Sequence, residues 1–479
     1  MSIFNNKIIK NFSVLTGTNL LIQVISILSS IRVARQLHPA GYGLFNLINL
    51  QVTIFSIVSV FGLRIVVIRH IARNKLDARR IFTISNQIRI FTTTLAMLLA
   101  VGYSQLQNRQ SLPPTLIFVL LLLMIFQSFW DSIDSISFGS EKMQTSGIIN
   151  LIMTMIWVAE IYLIPDSLFT VQILLFAYAL NQGTKTFIYY IWLRRKILSN
   201  IPKETITGFE EHKMLLRQAN FYFILAVFSS IQSQIPILLL QFNSSIDQIG
   251  LFNLGNRILS PLQMMLSMLL TALFPTLARL AINDKVLFAK RVKSLLNIIV
   301  LTGIWGSLCF SLFSQDIVKF LYGEAYITTA NVILIQCWFT VLFAIFCTIG
   351  TILSALDKQK LLATLSIIYG VVASPIFYFG TKYGATGLAW AFVIAAFINM
   401  TYHWVIFRNL LEKHISILYS VAIFGSIGLL SFLTYNYHIK YSFSTRLVIG
   451  LILSSSLLFY MYKYEFPKLK INNKNDLQK

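Results

Sequence analysis

Acidic residues are scarce in this chain: 17 Asp and Glu stand against 39 Lys and Arg over 479 residues, giving a formal net charge of +22. Charged residues of both signs make up only 12% of it, about half the share that a soluble globular surface requires, so a water-solvated globule is excluded. Cysteine is scarcer still. Cys309, Cys337 and Cys347 all lie in apolar runs, without paired spacing and without His or Cys neighbours; this excludes a disulfide framework or a cysteine metal centre and leaves them as packing residues. Long polar stretches are missing too, so no sizeable domain stands outside the apolar runs to carry chemistry. In a soluble chain the excess of Lys and Arg would suggest nucleic acid, but here the basic residues sit in short segments between apolar runs, where membrane topology explains them. No nucleic-acid motif competes with that explanation.

Hydrophobic residues make up 56% of the sequence and the mean hydropathy is +0.72, which is more apolar surface than one soluble core can bury. Lipid must solvate most of it. Lys7 and Lys10 precede an apolar stretch over 12–34 that is too long for a signal-peptide core and lacks a small-residue cleavage site, so it reads as the first membrane helix.

Runs near the roughly 20 residues needed to cross a bilayer fall at 12–34, 44–66, 81–103, 114–138, 146–164, 168–193, 216–240, 249–278, 293–314, 328–354, 361–380, 384–407, 416–435 and 443–462. These are spans 1 to 14. Long continuous runs, rather than ten-residue alternations, exclude strands as the spanning elements. With the N-terminus in the cytoplasm, about 28 Lys and Arg fall on the cytoplasmic side, about 6 on the other and about 5 inside the spans. The cytoplasmic share includes the Arg69 to Arg80 loop, the Arg194 to Arg217 linker, the Arg279 to Lys293 loop and the tail from Lys463. Both ends are then cytoplasmic.

A seven-residue phrase, Gly43-Leu44-Phe45-Asn46-Leu47-Ile48-Asn49, returns as Gly250-Leu251-Phe252-Asn253-Leu254-Gly255-Asn256. Each copy opens an apolar run that closes on a basic end, Ile71-Ala72-Arg73 and Leu277-Ala278-Arg279, so the chain reads as one membrane unit written twice. The implied organisation is an N-terminal lobe of spans 1–6 over residues 1–195, a cytoplasmic linker over 196–215, a C-terminal lobe of spans 7–12 over 216–408, and spans 13–14 with a basic cytoplasmic tail over 409–479. Six crossings return the chain to the same face, so the copies run parallel, and a substrate site is expected at the interface between repeats.

A charge at mid-bilayer costs about 2.5–3.5 kcal/mol on insertion scales, so each intramembrane ion needs a reason. Arg64 lies within a turn of the cytoplasmic end of span 2; Arg32 and its neighbour Arg35 lie near the outer end of span 1. All three can snorkel to headgroups or line a cavity mouth. Arg89 lies about 12 Å inside span 3 at 1.5 Å per residue, at the depth of Asp131 and Asp134 on the antiparallel span 4. The match favours a structural ion pair over a cation or proton site. Glu160, near the outer end of span 5, is an isolated acid, and Lys185 on span 6 can reach the interior or snorkel to the cytoplasm.

Arg257 forms a row with Asn253, Asn256 and Ser260 at i, i+3, i+4, i+7 spacing, a face that cannot be turned to lipid. It makes either an interhelical hydrogen-bond seam or a hydrated wall where arginine can bind phosphate or carboxylate. The matching positions of span 2 carry Asn46 and Asn49, with Leu50 where Arg257 would fall. Span 1 adds Asn19, Gln23, Ser26 and Ser30; span 7 adds Ser229, Ser230, Gln232, Ser233 and Gln234 before Pro236, which should kink it. Polar residues thus concentrate in spans 1, 2, 7 and 8, and a cavity lined by them, cationic on one wall, is expected.

Pro39-Ala40-Gly41-Tyr42-Gly43-Leu44-Phe45, Phe61-Gly62-Leu63-Arg64 with Arg69-His70-Ile71-Ala72-Arg73, the second-lobe Gly250-Leu251-Phe252-Asn253-Leu254 with Phe274-Pro275-Thr276-Leu277-Ala278-Arg279, Leu321-Tyr322-Gly323 with Tyr326, and Gly384-Ala385-Thr386-Gly387-Leu388-Ala389 together resemble bacterial Wzx-type polysaccharide flippases of the multidrug/oligosaccharidyl-lipid/polysaccharide (MOP) exporter superfamily. The resemblance runs in order over nearly the whole chain.

It implies an all-α membrane protein of about fourteen helices, with two six-helix lobes in a MATE-like fold plus two C-terminal helices. The implied activity is not enzymatic: alternating access that moves an undecaprenyl-pyrophosphate-linked sugar repeat unit across the inner membrane, with a polysaccharide polymerase and chain-length machinery as further partners. Cavity cations would engage the pyrophosphate, and Arg257, Arg32 and Arg35 are the positions able to do so. No cofactor is implied beyond proton or sodium coupling, for which Asp131, Asp134 and Glu160, with Arg89, are the candidates. The rival readings are a drug exporter of the same superfamily, for which cavity acids are expected and spans 1, 2, 7 and 8 have none, and a membrane glycosyltransferase or polymerase, for which long or acidic outer loops are expected.

Overall fold

The computed structural model describes residues 2–74, 77–105, 112–200, 208–283, 285–410, 443–460 and 463; among them there is no strand. Fourteen α-helices follow one another: α1 Ser2–Val60, α2 Leu63–Arg73, α3 Ala78–Gln105, α4 Pro114–Gly139, α5 Met143–Leu163, α6 Val171–Lys196, α7 Phe209–Ser233, α8 Ile235–Asn243, α9 Ile246–Asn283, α10 Lys285–Tyr322, α11 Thr329–Ala355, α12 Gln359–Thr381, α13 Gly384–Leu410 and α14 Phe443–Tyr460. Nine helical stretches of the described residues are long and apolar enough to cross a membrane. The chain is therefore a multi-pass membrane protein. Span 13, expected over 416–435, lies outside the described residues.

The interruptions differ from expectation at four places, each with a local cause. Span 1 and most of span 2 form a single helical stretch, in which the outer loop expected over 35–43 shrinks to a kink at His38, whose φ of 56° precedes Pro39; span 2 is then broken at Phe61 and Gly62, with φ of 47° and 69°, so its end, with Arg64, belongs to α2. Proline needs no N–H at the first position of a helix, so the second segment can restart on it at once. Span 7 is broken rather than bent: α7 stops at Ser233, and Gln234 joins it to α8, which carries Pro236 in its first turn. The basic loop expected between Arg279 and Lys293 is largely helical, since α9 runs to Asn283 and α10 starts at Lys285.

The chain divides into two compact units, Met1–Gly250 and Leu251–Lys479. The lobes inferred from the repeat, cut at 196–215, follow a different criterion; α7 and α8 fall in the first unit. Among its described residues two apolar cores can be traced. One gathers Leu63, Val66, Val67 and Ile71 of α2 with Ile84 and Ile88 of α3, Ile133 and Ile136 of α4, Tyr189 and Leu193 of α6, and Leu215 and Ala219 of α7. The other gathers Ile48 and Val52 of α1 with Ala96, Ala100, Leu116, Leu120 and Leu175.

Within this first unit the two copies of the repeated phrase begin side by side. A Cβ added at Gly43 would lie 2.2 Å from the Ile246 carbonyl oxygen, and one added at Gly250 would lie 2.6 Å from that of Pro39. Only glycine permits so close a backbone approach. Gly43→Val is therefore expected to force the two strands of chain apart and lower the thermal midpoint of the detergent-solubilised protein by several degrees; an unchanged midpoint would show that this approach is not needed.

In the second unit α11 is apolar on every side and almost wholly buried, as a central helix should be. Gln336 on it donates to the Phe252 carbonyl of α9 at 3.3 Å, and Gln263 of α9 donates to Thr340 at 3.2 Å. α14 is fastened to α10 by Arg446, which donates to Asp316 at 2.7 Å and to the Leu312 carbonyl at 2.8 Å, and by the Trp305 indole N–H, which donates to Ser454 at 2.7 Å.

Candidate functional site

Among the described residues, the densest set of ionisable groups inside the apolar layer lies in the first unit, where α2, α3, α4 and α6 meet. Asp131 and Asp134 are one turn apart on α4 and so face the same way. Arg64 of α2 reaches both, with Nη1 2.6 Å from Asp131 Oδ1 and Nη2 2.5 Å from Asp134 Oδ2. Arg89 of α3 approaches Asp131 from the other side, its Nη2 2.7 Å from Oδ2 and its Nη1 donating to the Ser128 carbonyl at 3.2 Å. The Tyr189 hydroxyl of α6 donates to Asp134 Oδ1 at 3.3 Å. Arg89 is only 3% exposed, and both aspartates are buried.

Lys185 sits one turn before Tyr189 on α6. Its Nζ lies 3.5 Å from Asn150 Oδ1 and 4.5 Å from the centre of the Trp130 ring. Hydroxyls continue from the cluster: Ser128 Oγ lies 2.9 Å from Thr93 Oγ1, which lies 2.6 Å from Ser59 Oγ. Thr92 donates to the Ser59 carbonyl at 2.7 Å.

Five of the residues singled out from sequence are thus brought together: Arg64, Arg89, Asp131, Asp134 and Lys185. Arg89 pairs with Asp131, as their matched depth implied. Arg64 does not snorkel. Two carboxylates within hydrogen-bond reach hold it inward, over the Phe138 ring at 5.1 Å, because a desolvated carboxylate attracts a guanidinium more strongly than a hydrated headgroup does. Glu160 is not isolated: Asn181 donates to it at 3.4 Å and to the Met153 carbonyl at 3.3 Å.

The remaining candidates lie elsewhere. Arg32 is paired with Asp166 and rests against the Tyr162 and Phe169 rings, 5.9 and 5.5 Å from their centres; Arg35 is exposed. Asn46 and Asn49 are half-buried, and their amides donate to the Tyr42 and Phe45 carbonyls of their own helix at 2.7 and 2.9 Å. Asn19 is exposed and Gln23, Gln232 and Gln234 are half-buried. On α9, Asn253, Asn256, Arg257 and Ser260 are all half-buried, and Gln263 and Ser267 prolong the same face at helical spacing.

Sequence reasoning missed Tyr189, Asn150, Trp130 and the Ser59–Thr93–Ser128 hydroxyls. Only Tyr189 had a readable signal, its place four residues after Lys185. Gln51, fully buried on α1 with neither amide atom hydrogen-bonded, was missed as well.

Residues 8–281 match the family model described as "Polysaccharide biosynthesis protein". No curated protein sequence matches the chain. Among solved structures, the lipid II flippase MurJ in an inward closed conformation superposes with a TM-score of 0.68 at 15% identity, over 94% of this chain and 99% of that one. An inward-facing multidrug resistance MATE family transporter of the MOP superfamily gives 0.61 at 13% identity, over 82% and 96%. A MOP superfamily transporter from Pyrococcus furiosus, described as having a binding pocket of reverse polarity, gives 0.55 at 14% identity, over 84% and 96%. At such identities the likeness establishes the fold, which is that of MOP and MATE transporters.

Proposed function

The chain belongs to the polysaccharide biosynthesis protein family, and from that premise we propose that it flips a lipid-linked oligosaccharide across the bacterial inner membrane. In this reading the cargo is an undecaprenyl-pyrophosphate-linked repeat unit. It passes from the cytoplasmic to the periplasmic leaflet by alternating access, for O-antigen, lipopolysaccharide, capsule or exopolysaccharide synthesis, and both chain ends are cytoplasmic. The family and the transporter fold support transport over chemistry, and the short outer loops leave a glycosyltransferase or polymerase little room for a catalytic domain.

The observation that carries the reading to an anionic lipid-linked cargo is the row along α9. Asn253, Asn256, Arg257, Ser260 and Gln263 offer amides, a hydroxyl and a guanidinium on one face of α9, a set suited to sugar hydroxyls and a pyrophosphate. Spans 1, 2, 7 and 8 contain no Asp or Glu, so a drug exporter that selects cations would lack its counter-charge there. Deleting the gene and assigning the leaflet in which lipid-linked units accumulate tests the proposal. Complete units facing the cytoplasm are expected; incomplete units would mean a transferase, and complete units facing outward would mean a polymerase.

A further inference from the structure

The charged cluster of the first unit does not balance. Arg64 and Arg89 are permanent cations, since a guanidinium does not lose its proton in a protein. Asp131 accepts from both arginines, and Asp134 accepts from Arg64 and Tyr189. Those four charges cancel. Lys185 is the remaining group that can carry a charge beside a neutral Tyr189, and it brings the sum to +1 when protonated.

Its surroundings are those of a cation that can be given up. Among the described residues no carboxylate oxygen lies within 4 Å of Nζ; what holds the ammonium is the Asn150 amide oxygen at 3.5 Å and the face of Trp130. The side chain is nevertheless buried. Lysine, unlike arginine, exchanges its proton readily when desolvated.

The helices packed against α6 bring one other ionisable group to it that is not held by an arginine, Glu160 of α5, which accepts from Asn181 at 3.4 Å. α4 contributes Asp131 and Asp134, both engaged by arginine. Glu160 lies ten residues along α5 from Asn150, and α5 has no ionisable residue from 143 to 159; α1, which meets α6 where Phe45 packs on Tyr178, has none from 43 to 60, and the turn at 197–200 has none. On α6 itself Tyr189 is committed to Asp134. Arg64 and Arg89 reach the same aspartates from α2 and α3.

We propose that Lys185 is the proton-exchanging group of this charged cluster. Taking up a proton at Nζ moves the cluster from neutral to +1 and sets Lys185 in competition with Arg64 for Asp134. Arg64 is a third exposed and sits on α2, whose Leu63, Val66, Val67 and Ile71 share a core with Leu215 and Ala219 of α7. A change in the hold on Asp134 is thus felt at the α2–α7 contact. The coupling of this exchange to transport rests on the flippase reading; the exchange itself does not.

Trp130 serves as the reporter, because its emission responds to an ammonium against its ring. The emission isolated as wild type minus Trp130→Phe, on the full protein in liposomes, is expected to titrate with pH. The same signal in Lys185→Met and in Lys185→Arg is expected to be flat, the first having no charge and the second a fixed one. A wild-type titration that persists in either variant overturns the proposal, as does a flat wild-type signal; should the Met variant fail to fold, the Arg variant decides.

In parallel, translocation of lipid-linked glycan under an imposed pH gradient is expected to lose its gradient response in Lys185→Arg. A retained response in that variant overturns the coupling. If no glycan moves while Trp130 still titrates, the flippase reading fails and the proton site stands; if glycan moves and Trp130 is silent, the reverse holds.

Discussion

Replacing Asp131 with alanine is expected to cost the folded protein about 3–5 kcal/mol, the scale for removing one partner of a buried ion pair. Arg89 would be left 3% exposed with only the Ser128 carbonyl as an acceptor, while Arg64 would keep Asp134. The unequal loss follows from the geometry: Asp131 is shared by two arginines, Asp134 held by one.

The measurement is the thermal midpoint and the monodisperse yield of the detergent-solubilised variant. Asp131→Asn separates charge from shape and should recover little, since an amide cannot neutralise Arg89. The double replacement Arg89→Met with Asp131→Leu should recover most of the loss, because exchanging a buried pair for apolar residues of similar volume is often neutral or better. An alanine variant that melts with the wild type would show that the pair contributes nothing to the fold.

That the pair could be anticipated at all reflects what a bilayer imposes on sequence. Span lengths are fixed by membrane thickness, so depth can be counted along a run, and Arg89 and Asp131 could be matched on antiparallel neighbours before any contact was known. Most of the helices were legible for the same reason. The kink at His38 was not, because nine residues of mixed polarity read equally as a loop or as a helix restarting on Pro39.

The orientation of Arg64 was illegible as well: its position along the helix allows either a headgroup or two carboxylates, and only the fold brings α4 beside α2. The repeated phrase gives the clearest case. Its single change puts Gly255 where the first copy has Ile48. Ile48 is fully buried in an apolar core of the first unit, whereas a Cβ at Gly255 would lie 2.3 Å from Gln336 Oε1. The substitution looks like drift in one dimension and is a polar helix crossing in three.

Arg257→Ala is expected to reduce export roughly 10–150-fold, the range corresponding to about 1.5–3 kcal/mol for a hydrogen bond to a charged group. Arg257→Lys should restore part of it: an ammonium still attracts a pyrophosphate but loses the planar fork that grips two oxygens at once. Both are read as lipid-linked repeat units delivered to the outer leaflet per inserted molecule.

The competing role, a hydrogen-bond seam, makes a different demand, since its loss would appear as poor folding. α9 is already fastened to α11 on either side of Arg257, by Gln336 on the Phe252 carbonyl and by Gln263 on Thr340. The alanine variant should therefore insert and melt close to wild type while failing to export. Full export by that variant would remove Arg257 from the transport path. A matched fall in folded yield, rescued by glutamine rather than lysine, would assign it to the seam. The other copy of the repeat supplies the control. Leu50 stands at the equivalent position and is buried, whereas Arg257 is half-buried, so Leu50→Arg should destabilise the fold and add nothing to export; matched asparagines alone do not make an anion site where the position beside them is closed off.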